Sequence, residues 1–114
     1  MTPEKVEKPW GYYTDIFRSK EAVFKTIVVF VGQELSYQSH EKRDEFWFIK
    51  SGTGSLTVDD LAVEVSKDAN FAIYRGSKHM IKNTGNRNLE IFEMQCGECD
   101  ENDIVRYSDK YGRV

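Results

Sequence analysis

Gln38, His40, Glu45 and His79 are the residues whose types and spacing could together hold a divalent ion. Three of them fall within QSHEKRDE, and the chain carries only two histidines. Side chains two apart on a strand share a face, so Gln38 and His40 can project toward one point. The polar EKRD that follows suits a turn. Glu45 then opens a run in which Glu45, Trp47 and Ile49 share a face, and pairing of the two strands would return Glu45 to Gln38 and His40. His79 follows the Gly76-Ser77 turn of RGSKHMIKN. Two imidazoles, a carboxylate and an amide oxygen suit a borderline or hard divalent ion, with water in the remaining positions. Taken singly, each histidine is more simply a surface or hydrogen-bonded residue.

The elements that would have to position these groups are strands. FKTIVVFV (24–31), EFWFIK (45–50), SLTV (55–58), LAVEV (61–65), NFAIY (70–74), HMIKN (79–83) and LEIFEMQ (89–95) are short and rich in β-branched or aromatic residues. GTG, Asp59-Asp60, RGSK and TGNRN separate them as turns. Seven or more closely spaced strands predict an antiparallel sandwich or small barrel. VDDLA reads as a tight hairpin, although Asp-Gly would suit a primed turn better than Asp-Asp. Helix signals are weak: SKEAVFK could hold one turn, and DENDIVRYSDKYGR a short helix after an Asp cap.

At 114 residues one domain is expected over 1–114, with 1–8 and Val114 as frayed ends. A net charge of -3 without a basic run disfavours nucleic-acid and membrane-surface roles. No apolar run approaches a bilayer-spanning length, and MTPEKVEKPWGYY lacks a signal-peptide core, so a cytoplasmic protein is expected. Cys96 and Cys99 read as two free thiols, because no second pair follows.

The spacing matches a known pattern. G-x5-Q-x-H-x4-E-x6-G, formed by Gly32, Gln38, His40, Glu45 and Gly52, fits the first motif of the cupin superfamily. Tyr74, Gly76, His79 and Asn83 fit its second, with tyrosine in place of proline. KPWGYY, GQELSYQSH, HEKRDEFW, SGTG and DIVRYSDKYGR, in this order, resemble the type II phosphomannose isomerase domain, which often forms the C-terminal part of a bifunctional mannose-1-phosphate guanylyltransferase. Lys42 and Phe46 stand where that family commonly has histidines.

The resemblance implies an all-β fold, a single cupin built as a double-stranded β-helix or jelly-roll barrel. It implies interconversion of mannose 6-phosphate and fructose 6-phosphate through an enediolate. The implied cofactor is a divalent metal ion on Gln38, His40, Glu45 and His79, with zinc expected first and manganese, cobalt or nickel as alternatives. Arg106 takes the position of a family catalytic arginine; its high pKa points to orientation or charge stabilisation rather than proton abstraction. Arg43 is a candidate for charge stabilisation and Lys25 for proton transfer or phosphate binding, with Lys110 and Arg113 as further phosphate candidates. A salt bridge from Arg106 to Asp103 or Asp109 is the plain structural alternative. The expected partner is a small hexose phosphate, and pairing of edge strands suggests a homodimer. A non-catalytic sugar- or sugar-nucleotide-binding cupin and a metal-dependent oxygenase are the competing readings.

Overall fold

The computed structural model describes residues 4–114. Eleven strands account for its regular structure: β1 (Lys5–Lys8), β2 (Gly11–Arg18), β3 (Ala22–Val29), β4 (Tyr37–Ser39), β5 (Arg43–Ser51), β6 (Thr53–Val58), β7 (Leu61–Ser66), β8 (Asn70–Ile73), β9 (His79–Asn83), β10 (Leu89–Gly97) and β11 (Val105–Ser108). They form two antiparallel sheets, ordered β1-β2-β3-β10-β5-β8 and β11-β4-β9-β6-β7. All seven sequence-predicted runs are strands, with their ends shifted by a few residues.

Three expectations are corrected. Lys5–Lys8 is a paired strand rather than a frayed end, its Lys8 opposite Gly11 in a hairpin with β2; residues 1–3 lie outside the described part. SKEAVFK forms no helical turn, because the Ser19 amide bonds to the Ala22 carbonyl and closes the bend between β2 and β3. DENDIVRYSDKYGR is likewise not helical: Asp100 anchors a turn through Asn102, and the segment then runs along β4 as β11. The pairing partner across the sheet decides this, and local propensity does not.

The Asp59-Asp60 hairpin forms with both residues at positive φ, 47° and 70°. Side-chain bonds compensate for the missing glycine. Asp59 Oδ1 accepts from the Lys78 amide, while Tyr37 Oη donates to Asp60 Oδ1 and accepts from the Asp60 amide.

Alternation along β3, β5 and β10 builds the interior in cross-strand rows. Ile27, Ile91 and Ile49 stand side by side; the next row is Lys25, Glu93 and Trp47, and the next Val23, Gln95 and Glu45. One end of the interior is therefore aliphatic, closed by Val29, Leu89 and Leu56, and the other is polar. Burial of the aliphatic end supplies the hydrophobic driving force that can hold charged groups at the polar end. At that polar end β10 finishes on Gly97, at φ +130°, where a side chain would collide with the Lys42 carbonyl and the Arg43 backbone. Only glycine allows the two strands this approach.

Candidate metal centre and cavity

His40, Glu45 and His79 converge in the interior, with one potential ligand atom from each within 4.8 Å of the others. All three are buried, at 4%, 2% and 1% exposure. The route by which they meet differs from the expected one. β4 does not pair with β5; the strands lie in opposite sheets, and Gln38 stands directly opposite His79 between β4 and β9. The cluster thus spans the space between the sheets, with Glu45 from one wall and Gln38, His40 and His79 from the other.

Hydrogen bonds orient both imidazoles. His40 Nδ1 lies 2.6 Å from the Asp103 carbonyl oxygen and His79 Nδ1 lies 3.0 Å from that of Ser77. A carbonyl can only accept, so each ring donates from Nδ1 and turns Nε2 toward the cluster. The two Nε2 atoms reach Glu45 at 3.3 and 3.5 Å, and His79 Nε2 is buried with no hydrogen-bond partner. Protein donors answer Glu45 and His40, but His79 Nε2 faces the cluster with no donor to meet it, and two imidazole nitrogens with a carboxylate form a donor set that fits a divalent ion. Gln38 lines the same space, its Oε1 accepting from Ser36 Oγ at 3.0 Å.

Electrostatics follow from this crowding. Burial opposes ionisation of Glu45, but the close approach of His79 at 3.5 Å and the nearby His79, His40 and Arg43 charges outweigh it and hold the carboxyl down to about 2. For His79 burial disfavours the imidazolium, yet the close approach and charge of Glu45 prevail and its pKa is raised. Burial dominates at His40 and lowers it. Arg43, 6% exposed, donates from Nε to Glu45 Oε2 at 3.0 Å and from Nη2 to His40 Nε2 at 3.2 Å. Trp47 Nε1 completes the set by donating to Glu45 Oε1 at 3.1 Å.

A cavity of about 200 Å³ opens beside the cluster. Gln38, His40, Arg43 and Glu45 line it with Lys25, Arg106 and Arg113, all singled out from sequence. Lys25 is 4% exposed, paired with Glu101 at 2.9 Å and 4.2 Å from the Tyr13 ring centroid. Arg106 makes no ion pair with Asp103 or Asp109 among the described residues, and its buried Nε has no partner. Lys110 is not in the cavity wall; its ammonium donates to the Gly32 carbonyl at 2.8 Å. Lys8, Glu93, Gln95 and Glu101 also line the cavity and were missed in the sequence. The signal for two of them was present: LEIFEMQ puts Glu93 and Gln95 in register with Leu89 and Ile91, polar residues at inward positions.

The departures from the family pattern lie away from the cluster. Lys42 is exposed beside Glu98, and Phe46 points to the outer face, 43% exposed. Trp10 is a buried core residue that also forms part of the cavity wall. Cys96 and Cys99 are free thiols. No helix among the described residues is long and apolar enough to cross a membrane.

The terminal DIVRYSDKYGR is tied down through Asp109, whose carboxylate takes the Arg113 amide at 2.7 Å and its guanidinium at 2.8 and 2.9 Å. These bonds hold the Asp109 carboxyl down to about 2. A depressed folded-state pKa gives stability that is present above the unfolded value near 3.8 and lost as pH falls toward 2. Chemical denaturation at pH 5 and pH 2.5 should therefore show Asp109→Asn destabilised by about 1–2 kcal/mol at the higher pH and much less at the lower. An equal effect at both would show that the ion pair is not its source.

The family model described as mannose-6-phosphate isomerase C-terminal matches residues 1–109. The chain is 39% identical over 111 residues to the xanthan biosynthesis protein XanB of Xanthomonas campestris pv. campestris strain B100, covering 96% of this chain and 24% of that protein. It is 37% identical over 114 residues to a mannose-1-phosphate guanylyltransferase of Salmonella montevideo, covering 99% and 24%. This chain spans about a quarter of the length of these relatives. Among solved structures, the Schizosaccharomyces pombe Cnp3 cupin domain superposes with a TM-score of 0.71 at 18% identity, over 75% of this chain and 64% of that one, a likeness of fold. The paired sheets are those of a cupin, and the chain belongs to the mannose-6-phosphate isomerase C-terminal family.

Proposed function

We propose that this chain is a metal-dependent aldose-ketose isomerase that interconverts mannose 6-phosphate and fructose 6-phosphate. The observation that carries this reading is the buried His40, Glu45 and His79 cluster beside a cavity rich in cations, whose wall His40 and Glu45 help to form. Lys8, Lys25, Arg43, Arg106 and Arg113 face Glu45, Glu93 and Glu101 there. Several of these cations are already committed: Arg43 to Glu45, Lys25 to Glu101 and Arg113 to Asp109. Lys8 and Arg106 have no carboxylate partner among the described residues, so they are the pair best placed to receive a phosphate. Arg113 can add its guanidinium edge, whereas Lys110 would act only from outside the cavity.

Gln38, His40, Glu45 and His79 would hold the ion, with zinc the first candidate and manganese, cobalt or nickel the others. When bound, the ion supplies a Lewis acid for the oxygens of the open-chain sugar. Arg43 would release His40 Nε2 to the ion while keeping Glu45 ionised through its Nε. Its freed Nη2 then becomes a donor for the developing oxyanion. Arg106, with a buried donor unused, orients the substrate and balances its charge. Lys25, held by Glu101, adds positive potential at the cavity floor. The relatives named as guanylyltransferase and xanthan biosynthesis proteins agree with a place in sugar-nucleotide supply. A cytoplasmic setting and a homodimer belong to the same reading.

The test is a coupled assay for fructose 6-phosphate formed from mannose 6-phosphate, with the protein loaded in turn with zinc, manganese, cobalt or nickel. Turnover is expected with at least one ion and is abolished by a chelator. Saturable sugar-phosphate binding without turnover under every metal would overturn the isomerase and leave a binding cupin.

A further inference from the structure

We propose that the Glu93 carboxylate is the base that moves the proton between C2 and C1 of the sugar, and that Gln95 positions it; this rests on the isomerase reading above. Glu93 occupies the middle of β10, 4% exposed, and contributes to the cavity wall. It sits one row from the metal cluster, because Gln95, two residues on and on the same face, stands directly opposite Glu45. Neighbouring strands lie about 4.8 Å apart, so a ligand held at Glu45 passes within reach of β10.

The other candidates for a base are committed. Both imidazoles and Glu45 form the cluster, the arginines stay protonated, and the Lys25 ammonium is bound by Glu101. Glu101 is the outer partner of Lys25 and Arg18, with a side chain half exposed. Glu93 differs from all of these. Its Oε1 accepts from Gln95 Nε2 at 2.5 Å, while Oε2 takes no hydrogen bond from the described residues. Gln95 is 1% exposed, and its amide is held with Nε2 on Glu93 and its own Oε1 buried without a partner. Burial is the leading influence that raises the Glu93 carboxyl above the ordinary carboxylate range, against the pull of Lys25, a direction that favours a proton acceptor able to hold and return what it takes.

The chemistry closes on itself. Glu93 Oε2 takes the proton from C2 of the open-chain aldose, the C2–H electron pair forms the C1=C2 bond, and the carbonyl π pair moves to O1. The protonated Glu93, after trading its proton with water in a fraction of turnovers, then delivers a proton to C1, using the C1=C2 pair, while the O2–H pair forms the ketone and the O2 proton passes to O1. No oxidant, reductant or co-reactant is consumed.

Glu93→Gln removes the base with little change of shape. In metal-loaded protein, kcat is expected to fall by about 10²–10⁴-fold. The KM for mannose 6-phosphate, its calorimetric affinity and the metal content per chain should remain within a few-fold. Exchange of the C2 hydrogen of mannose 6-phosphate with deuterium oxide, seen by proton NMR in the wild type, should stop. Gln95→Met should lower kcat by roughly 10-fold with KM retained, since positioning rather than binding is lost. If Glu93→Gln does not fold, Glu93→Asp decides: a lower kcat at retained KM supports the base, and an unchanged kcat overturns it. Wild-type turnover with a fully active Glu93→Gln, or loss of bound metal as that variant's sole defect, overturns the inference and leaves the isomerase standing. Absence of wild-type turnover overturns both.

Discussion

Replacing His79 with alanine is expected to lower the affinity for a divalent ion by more than ~100-fold and to remove sugar-phosphate turnover with it. The magnitude follows from position. Loss of a group that merely orients a ligand costs about 10–100-fold in metal affinity, and His79 Nε2 is itself an inward-facing donor atom. The substitution also leaves Glu45, 2% exposed, with one fewer partner at the centre of the protein. Arg43 Nε, Trp47 Nε1 and His40 Nε2 still surround that carboxylate. The folded state is therefore expected to persist, with a lowered melting temperature. Elemental analysis after equilibrium dialysis gives the direct readout. An alanine variant that retains the wild-type metal stoichiometry and affinity would remove His79 from the site. His40→Ala should behave similarly, and Gln38→Ala more mildly, because an amide oxygen is a weaker donor than an imidazole nitrogen.

The second large effect is expected at Trp47. Its indole is 2% exposed, packs edge-on at 5.8 Å from the His79 ring and donates to Glu45 Oε1. It is at once the bulkiest fully buried side chain and a support for the candidate metal cluster. Trp47→Ala should cost about 3–5 kcal/mol in chemical denaturation, from lost burial and the void left between the sheets. Trp47→Phe separates the two roles. It retains most of the packing, loses the N–H donor to Glu45, and should cost roughly 1–3 kcal/mol while shifting metal affinity measurably. Equal stability losses for the two variants would show that packing volume contributes nothing at this position.

The strand pattern was legible because alternation is a local property. LEIFEMQ and EFWFIK each show which residues face inward, and the all-β fold follows from seven such runs with turn residues between them. The segments misread as a frayed end or short helices are those whose conformation depends on a partner strand. Lys5–Lys8 is apolar only at Val6, and Val105–Ser108 is four residues long; neither carries enough pattern to reveal β2 or β4 beside it.

The amino-acid sequence by itself determined the four candidate ligand types, their spacing and the mannose-6-phosphate isomerase C-terminal family, because motif spacing along a strand survives folding unchanged. It also determined that Lys25 and Glu45 face inward. Only the tertiary structure decided how the ligands meet: across the gap between two sheets, with Gln38 opposite His79, rather than by pairing of β4 with β5. Only there did Asp103, Ser77 and Trp47 emerge as the groups that aim the cluster, and Glu93 come to lie one row from it. The reason is physical. Burial and hydrogen-bond orientation arise between segments distant in the chain, and a buried carboxylate on an alternating strand has no distinctive sequence spacing until its neighbours are known.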